Sequence, residues 1–446
     1  MTAEGPSTTT ADARVTELLQ RLLRIDSSNP PGRERECIEL LAGELRMAGL
    51  EPRVVARDVN RPNLVARVAG RGEAPPLLLY GHVDVVPAGS EDWRHDPFGA
   101  SLVDGELWGR GALDMKGGLA MLATVLLQAA QPGAQPPGDL IFVANSDEEA
   151  GGDYGAAWLV DEHPELFEGV RHALSEFGGY SHHVAGRRLY PVQVAQKRRC
   201  TLRATIRGEG GHGASPRRGQ VAGKLGASLA ALDRRRLPTH LTEPVRLMIE
   251  AMAGGLPAPL QAALRLLLVP AATGPVLRIA GSQAEDLDPL LRNTATATIV
   301  RAGEAWNVLP TEAQIDLDGR LVPGHEPAEL LEELAAILPD DTTLEILQAD
   351  PPATRLEPDL ELLPLLTSVL HEEDPQGHAF PLVTAGMTDA RHYDRLGIQT
   401  YGFLPMRLPH GLMPQLLHAT DERIPIAALG PGVAAIRRVV DRYRPR

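Results

Sequence analysis

The sequence predicts an α/β fold, in which a mostly parallel sheet with flanking helices carries an inserted α+β lid domain of ferredoxin-like order. Short apolar runs at 77–81 and 140–144 have the length and composition of strands buried on both faces. Helical segments such as 118–130 alternate with these runs, which is typical of a parallel sheet layered with helices. Between residues 197 and 349 the order becomes strand, helix, strand, strand, helix, strand, as in a ferredoxin-like unit.

The elements before the lid follow from apolar periodicity and from turn residues. Val15, Leu18 and Leu22 recur at helical spacing, and a second amphipathic segment follows the proline- and glycine-containing turn at 26–32. The strands are short apolar runs bounded by polar or glycine-rich turns. We predict helices at 13–23, 34–47 and 118–130, and strands at 52–56, 63–68, 140–145 and beginning at 77 and at 172.

The change of pattern at residue 197 defines the predicted domains. We expect a catalytic, metal-binding domain of residues 13–196 and 350–446, and a lid domain of residues 197–349 that also serves dimerisation. A Leu-, Ala- and Pro-rich stretch at about 237–287 interrupts the lid and is interpreted as helical hairpins. The remaining predicted elements are strands at 200–207, 294–300, 313–322, 343–348 and 399–403, and helices at 221–232, 327–338, 360–371 and 425–443.

Composition restricts the class of protein. At 446 residues, 43% hydrophobic and 23% charged, the chain has the composition of an ordinary globular protein of two or three lobes. The formal net charge of −14 argues against nucleic acid and anionic membranes as partners, and no run reaches the ~18 apolar residues of a membrane span. Only Cys37 and Cys200 are available, which excludes a disulfide framework or a Cys-rich zinc site and favours a cytoplasmic location.

Two polar residues, His82 and Asp84, follow the apolar run that begins at residue 77. On an extended backbone their spacing of two places both side chains on one side. A metal-binding imidazole needs an acceptor for its other N–H, and a nearby carboxylate can be that acceptor. Considered alone, however, the pair is better explained as a buried histidine whose hydrogen-bond partner is the aspartate.

Further acidic residues follow other predicted strands. Asp114 lies in a glycine-flanked loop before the helix at 118–130, Glu148 and Glu149 follow the strand at 140–145, and Glu176 follows the strand at 172. Each has an ordinary alternative, namely an aspartate at a helix start or a solvated acidic turn. Taken together, carboxylates and an imidazole at the carboxyl ends of strands, without cysteine, favour a hard or borderline divalent metal.

The chain resembles the co-catalytic zinc exopeptidases and amidohydrolases, a family that includes aminoacylase, succinyl-diaminopimelate desuccinylase, glutamate carboxypeptidase and carboxypeptidase S. The resemblance runs from residue 14 to the C-terminal helix and is nearest to the carboxypeptidase S and dipeptidase-like branch. Each motif alone is weak, but the set in this order is specific. The motifs are Gly81-His82-Val83-Asp84, Gly109-Arg110-Gly111 with Asp114-Met115-Lys116-Gly117-Gly118, Asp147-Glu148-Glu149, Ser175-Glu176, Gly211-His212-Gly213-Ala214-Ser215-Pro216, Asn307-Val308-Leu309-Pro310, Arg320, Tyr401-Gly402-Phe403, and His418 before Asp421-Glu422-Arg423-Ile424.

The resemblance implies a role for each matching position. It implies two divalent metal ions, zinc in the first place, which cobalt or manganese could replace, and a cis peptide after Asp114. Glu148 would be the general base, and Asp84 would orient His82. His212 on the lid would stabilise the tetrahedral oxyanion, acting across a homodimer. The implied metal ligands are Asp114 as the bridge, His82 and Glu176 at one ion, and Glu149 and His418 at the other.

The resemblance also implies the substrate class. Asn307 and Arg320 match lid positions that bind the carboxylate or backbone of the substrate, and Gly386 and Thr388 belong to the matching substrate turn, where Met387 replaces a second glycine. We expect hydrolysis of the amide bond of dipeptides or N-acyl amino acids. Two alternatives are a biosynthetic deacylase such as a desuccinylase, which needs a basic pocket to which Arg391 and Arg407 are candidate contributors, and a non-catalytic binding protein on the same fold.

Overall fold

The computed structural model describes residues 10–90, 92–215, 217–281 and 287–446. The strands are β1 (Arg53–Val55), β2 (Asn63–Val68), β3 (Leu77–His82), β4 (Ser101–Val103), β5 (Glu106–Trp108), β6 (Leu140–Asn145), β7 (His172–Ser175), β8 (His182–Val184), β9 (Arg187–Gln196), β10 (Arg198–Arg207), β11 (Gly211–His212), β12 (Thr294–Ala302), β13 (Val308–Leu309), β14 (Glu312–Leu321), β15 (Thr342–Ala349), β16 (His378–Thr384), β17 (Gln399–Gly402) and β18 (Arg423–Pro425). The helices are α1 (Thr10–Leu23), α2 (Arg35–Met47), α3 (Lys116–Ala129), α4 (Ala156–Glu162), α5 (Val221–Arg234), α6 (Glu243–Gly254), α7 (Ala258–Leu266), α8 (Pro270–Ala280), α9 (Pro327–Ala335), α10 (Leu363–Glu373), α11 (Ala390–Tyr393), α12 (Leu412–Leu416) and α13 (Ile426–Arg442).

The larger sheet has nine strands, eight of them in the order β1-β2-β6-β3-β7-β17-β9-β16, with β8 paired to β9. Its central strands β6, β3, β7 and β17 are parallel to one another. Antiparallel strands flank them, because β2 runs opposite to β6 and β9 runs opposite to β17. The predicted α/β fold with a mostly parallel central sheet is confirmed.

Burial explains why the central strands read as uninterrupted apolar runs. Every residue of β3 and β6 is buried, since helices cover both faces of the sheet. Helix α3, which is buried over almost its whole circumference, packs on one face together with α1 and α13. On the other face, Tyr80 of β3 contacts Tyr393 of α11 and donates a hydrogen bond to Thr400. The carboxyl ends of the parallel strands are thereby held in fixed positions.

The second sheet has four antiparallel strands in the order β12-β14-β10-β15. With α5 and α9 in sequence between its strands, it has the ferredoxin-like order that the sequence predicts. A two-stranded ladder of β11 and β13 lies beside it in the chain, and residue 216 of the predicted lid motif is outside the described residues.

The segment predicted as helical hairpins contains α6, α7 and α8 in its described part, which excludes 282–286. Helix α6 packs on β16, the edge strand of the larger sheet. Neither β16 nor its parallel neighbour β9 was predicted. Pro381 in β16 and Pro191 in β9 interrupt the apolar pattern, and of the two strands β16 has the edge position at which a strand tolerates proline. Among the described residues, no helix is long and apolar enough to cross a bilayer.

Candidate metal centre

Five of the predicted site residues meet at the carboxyl edge of the central strands. His82 ends β3, and Glu176 directly follows β7. Asp114 lies just before α3, so that the helix start carries it to the same edge. Glu149 lies in the turn after β6, and His418 lies in the loop before β18. Residues distant in sequence therefore converge because their strands are neighbours in one sheet.

Asp114 lies between two pairs of side chains. One of its oxygens, Oδ1, is 3.1 Å from Nε2 of His82, and Oδ2 is 2.9 Å from Nε2 of His418. Glu176 Oε2 is 3.4 Å from Nε2 of His82, and Glu149 Oε1 is 3.6 Å from Nε2 of His418. The side chains thus form two groups of three that share Asp114, and within each group the potential ligand atoms lie within 4.8 Å of one another.

Asp84 contacts both His82 and the acidic turn, but with different atoms. Its main-chain carbonyl accepts a hydrogen bond from Nδ1 of His82 at 2.9 Å, whereas its carboxylate is 3.6 Å from that nitrogen. The carboxylate accepts the main-chain N–H groups of Glu148 at 3.2 Å and Glu149 at 3.1 Å. Asn29 donates a further hydrogen bond to it at 2.8 Å. Sequence spacing suggested the link to His82 but not the link to the acidic turn.

Glu422, a buried carboxylate that carried no role in the sequence analysis, organises the loop before Asp114. It accepts the main-chain N–H groups of Gly111 at 3.0 Å, Leu113 at 2.7 Å and Asp114 at 3.2 Å. Gly111 has φ of +88°, and a side chain there would lie 2.6 Å from Val85, so the close approach requires glycine. The peptide between Asp114 and Met115 is cis, as the resemblance implies.

A second buried network supports Asp147, the residue that precedes Glu148 in the acidic turn. Asp147 has φ of +69° and accepts a hydrogen bond from Arg61 at 2.7 Å and one from Asn29 at 3.1 Å. Arg61 also contacts the buried carboxylate of Glu34 at 2.7 Å. Asn29 lies in the proline- and glycine-containing turn at 26–32. Its amide joins Asp84 and Asp147, and no pattern in the sequence signalled that contact.

The centre holds more carboxylates than bases. Burial, followed by the charge of Glu176, raises the pKa of Glu148 well above its usual value. Burial likewise raises the pKa of Glu176 to about 7, with His82 partly opposing the effect. Glu149 has a buried oxygen, Oε1, without a hydrogen-bond partner. Buried carboxylates and imidazoles with an unsatisfied oxygen fit divalent cations, because cations relieve the repulsion and provide the missing partner.

The predicted lid residues lie apart from this centre. His212 is exposed and faces Val308 across the β11–β13 ladder, and the N–H of Gly213 donates to the carbonyl of Asn307 at 2.8 Å. The structure thus brings His212 and Asn307 side by side. Arg320 on β14 makes a forked ion pair with Asp318 at 2.7 and 3.0 Å. Within the part of the chain that the structure describes, no hydrogen bond or ion pair joins these lid side chains to the five clustered residues.

The predicted substrate turn borders the acidic turn. Thr388 is buried, and its N–H and hydroxyl donate to Gln196 at 2.9 and 3.0 Å. Gly386 is exposed, with no atom within 4 Å of the place where a side chain would begin. The arginine that follows, Arg391, donates to the carbonyls of Thr388 and Gly151 at 3.0 and 2.8 Å. Its two terminal nitrogens, Nη1 and Nη2, are therefore engaged by main-chain carbonyls of the protein itself.

A third group of potential ligands lies at the start of β7. Nε2 of His172 is 3.4 Å from Asp359 and 3.9 Å from Glu361. Arg171 pairs with Glu361 at 2.6 Å, and Arg355 pairs with Asp359 at 3.4 Å. Because the two guanidinium groups already neutralise both carboxylates, we interpret this group as an ion-pair network.

Comparison with known proteins agrees with this geometry. Over 370 residues, which are 79% of this chain and 68% of the relative, the chain is 29% identical to the probable carboxypeptidase S-like 2 of Dictyostelium discoideum. Over 443 residues, 96% of each protein, it is 29% identical to the succinyl-diaminopimelate desuccinylase of Methylobacterium nodulans. The solved structure of an M20 family metallo-carboxypeptidase from Sulfolobus solfataricus has the same fold, with a TM-score of 0.65 at 15% identity over 97% of this chain and 99% of that chain.

The family is settled by a match over most of the chain. The sequence model described as peptidase family M20/M25/M40 matches residues 78–442, a span that contains all the motifs quoted above. The resemblance inferred from those motifs is therefore confirmed. The chain belongs to the peptidase family M20/M25/M40 and is a metal-dependent hydrolase of amide bonds.

Proposed function

We propose that the protein hydrolyses the amide bond of dipeptides or N-acyl amino acids at a centre of two divalent metal ions. The observation that carries the proposal is the position of Asp114, which offers one carboxylate oxygen to each of two histidine–carboxylate pairs. Glu148 lies beside both groups without belonging to either. A shared bridging carboxylate with an adjacent free carboxylate is the arrangement that metal-assisted hydrolysis needs.

The donor set defines how the ions would be held. His82, Asp114 and Glu176 would hold one ion, and Asp114, Glu149 and His418 the other. Zinc is proposed first because imidazole and carboxylate ligands without cysteine suit it, and cobalt or manganese could replace it. When bound, two such ions would polarise the scissile carbonyl and lower the pKa of water.

Glu148 is proposed as the general base. Burial raises the pKa of its carboxyl group well above the usual value, which makes the carboxylate a stronger base for taking a proton from water and returning it to the leaving nitrogen. The hydrogen bonds from its own N–H and from that of Glu149 to Asp84 fix the main chain of the turn. The side chain of Glu148 therefore starts from a fixed position at the edge of the ligand set.

The lid is proposed to complete the substrate site. His212 has Nδ1 occupied by the N–H of Ala214 at 3.1 Å, which leaves Nε2 to donate to a developing oxyanion. Asn307 lies next to it and is proposed to contact the substrate together with Arg320, whose forked pair with Asp318 would have to open for a substrate carboxylate. Gly386 and Thr388 are proposed to line the opposite side of the substrate.

A homodimer formed through the lid is part of the proposal. Strand β12 is an edge of the four-stranded sheet, and its Ile299 and Val300 are exposed. Trp306, beside Asn307, is fully exposed, and Val308 is 54% exposed. An apolar edge strand next to an exposed tryptophan favours pairing with a second copy of the chain. Such a dimer could carry His212 to the centre of its partner.

The free, buried cysteines Cys37 and Cys200 support the further proposal of a cytoplasmic location.

The second candidate activity is a desuccinylase, which the relative from Methylobacterium favours because it matches 96% of each chain. A succinyl group brings an additional carboxylate, and Arg391 does not serve it in this arrangement because its Nη donors bind main-chain carbonyls. The non-catalytic alternative requires a missing ligand or base, and all of those residues are present.

A substrate screen tests the proposal. The purified protein is loaded with zinc, cobalt or manganese and assayed against dipeptides and against N-acetyl, N-succinyl and N-carbamoyl amino acids. We expect metal-dependent release of a free amino acid from the dipeptides or the N-acetyl amino acids. Turnover restricted to the N-succinyl compounds would replace the leading proposal by the desuccinylase. No turnover of any compound by protein that holds two metals per chain would exclude both.

A further inference from the structure

We infer that Arg391 and His392 are positioning residues, which hold the turn that carries Glu148 against the turn that carries Thr388. The inference rests on the proposed function, because it assigns these two residues a role through the proposed base. It goes beyond that function in naming what fixes the far end of the acidic turn. Both residues lie on the short helix α11, next to the metal centre but outside its ligand set.

The contacts converge on one carbonyl oxygen. The main-chain oxygen of Gly151 accepts a hydrogen bond from Nη2 of Arg391 at 2.8 Å and lies 3.1 Å from Nε2 of His392. The other terminal nitrogen of Arg391, Nη1, donates to the carbonyl of Thr388 at 3.0 Å. One guanidinium group therefore bridges the acidic turn and the substrate turn, and the neighbouring imidazole strengthens its hold on the acidic turn.

The backbone around Gly151 is shaped for this contact. Gly151 has φ of +122° and Gly152 has φ of +83°, conformations that favour glycine. A side chain on Gly152 would begin 2.9 Å from Nε2 of His392 and 3.1 Å from Oδ1 of Asp389. The turn and the helix α11 thus approach more closely than any other residue at position 152 would allow. Gly151 is linked back to the base, because its N–H donates to the carbonyl of Glu148 at 3.0 Å.

The charge of Arg391 is used in an uncommon way. Among the described ion pairs, Arg391 has no carboxylate partner, although several acidic residues surround the centre. Its Nε is buried without a hydrogen-bond partner. A partly buried cation that binds two main-chain carbonyls, instead of a carboxylate, contributes fixed geometry more than ion pairing. The rigid fork of arginine can reach both carbonyls at once, which the single ammonium group of lysine cannot do in the same way.

The imidazole of His392 is a neutral donor. Burial lowers its pKa to about 4, and the positive charge of Arg391 contributes to the shift. The ring is therefore uncharged at neutral pH, and its Nε2–H can donate to Gly151 without bringing a second charge next to Arg391. Asp84 fixes the start of the acidic turn, and Arg391 with His392 fixes its end. Glu148 lies between these two points of attachment.

The test compares Arg391→Met and Arg391→Lys with the control Arg395→Met, in the metal-loaded full-length protein. Arg395 follows in the same segment and pairs with Asp161 at the surface. We expect Arg391→Met to keep the parent's metal content and to lose about 10- to 100-fold in kcat, the cost of a misplaced catalytic group. Arg391→Lys should recover part of that loss. Added guanidinium ion should raise kcat of Arg391→Met and leave that of Arg395→Met unchanged.

His392→Phe provides a second, independent measurement. Both residues act on one carbonyl, so the losses in the double variant of Arg391 and His392 should be smaller than the product of the single losses. A double variant whose loss in kcat equals the product of the two single losses would overturn the inference. A kcat of Arg391→Met within about twofold of the parent would overturn it as well. Loss of metal from Arg391→Met in parallel with kcat would also overturn it. Glu148→Ala is assayed alongside. Full activity of this variant would refute the proposed general base. An inactive Glu148→Ala together with an unaffected Arg391→Met would refute only the positioning role.

Discussion

The carboxylate of Asp84 accepts a hydrogen bond from the main-chain N–H of Glu148, 3.2 Å away. A residue expected only to orient a metal-binding histidine thus also fixes the backbone of the proposed base. We expect Asp84→Asn to lower both metal affinity and kcat, by about 10-fold or more each, because an amide can accept at only one of its two heavy atoms. Metal titration and steady-state kinetics measure the two losses separately.

The matched control for that substitution is Asp161→Asn, which removes a carboxylate from an exposed ion pair with Arg395. It should leave both quantities unchanged. If Asp84→Asn lowered metal affinity with normal kcat at saturating metal, the contact to the acidic turn would have no catalytic consequence.

Glu148→Ala should leave the metal content intact and abolish hydrolysis. Glu148 belongs to neither group of potential ligands, whereas general-base assistance contributes about 10²- to 10⁴-fold. Elemental analysis and the amide-hydrolysis assay are performed on the same preparation. Near-parental activity would show that another group takes the proton.

His82→Ala should lose metal. The imidazole lies 3.1 Å from a carboxylate oxygen of Asp114 and 3.4 Å from one of Glu176, and removing it leaves two carboxylates in one half of the proposed centre. Equilibrium dialysis followed by elemental analysis counts the bound ions. Two metals per chain in this variant would exclude the proposed ligand set.

Mixing two inactive variants tests whether His212 acts across a dimer. His212→Ala and Glu148→Ala should each be inactive, and random exchange of subunits should restore about a quarter of the parental activity. After random exchange, half of the dimers contain one subunit of each variant. In each of these dimers one of the two active sites has both His212 and Glu148, so a quarter of all sites are complete. Light scattering establishes the dimer first. Recovery no greater than the sum of the separate variants would place His212 and Glu148 in the same chain.

The stability of the protein should depend on pH through Lys197. This buried ammonium donates to the carbonyls of Pro289 and Arg292 and to the hydroxyl of Thr294. Burial and the charge of Arg320 lower its pKa to about 7, from an ordinary value of 10.5. Between these values the unfolded chain binds a proton that the folded chain does not, so the free energy of unfolding should rise with pH in that window, by at most about 1.4 kcal/mol per pH unit.

Lys197→Met isolates this contribution. The variant should be less stable than the parent at high pH, because the parent alone gains stability above pH 7 and the variant leaves three oxygens without their donor. Urea-unfolding midpoints of both proteins at pH 6, 8 and 9.5 should therefore diverge as the pH rises. Curves that stay parallel would show that Lys197 titrates outside this range.

The fold could be predicted from the sequence where burial produces a recognisable pattern of apolar residues. Strands β3 and β6 are buried on both faces and read as continuous apolar runs. Strands β9 and β16 escaped prediction because each has a proline, and their pairing with each other depends on contacts between residues about 190 positions apart. These two segments are strands because they pair with each other in the folded protein, and the local sequence pattern does not encode that pairing.

The candidate ligands could be predicted because metal-binding chemistry restricts the residue types and strand ends restrict their places. The residues that support the ligands were missed for a physical reason. Glu422 and Arg391 act through main-chain groups, and a main-chain N–H or carbonyl has no sequence signature of its own. Asn29 joins the carboxylates of Asp84 and Asp147, which lie 55 and 118 positions away in the sequence. Only Glu422 lay within a quoted motif, where its position beside His418 was the available signal.

The hydrogen bond from the N–H of Asp114 to Glu422 joins residues 308 positions apart and has a consequence for biosynthesis. The ribosome adds Glu422 to the chain 308 residues after Asp114, once the whole lid has been synthesised. Since domains generally fold as they emerge, the lid can fold before the centre is assembled. A nascent chain that stops before residue 418 lacks one proposed ligand and the carboxylate that shapes the Asp114 loop. An incomplete chain of that length therefore cannot assemble the proposed centre.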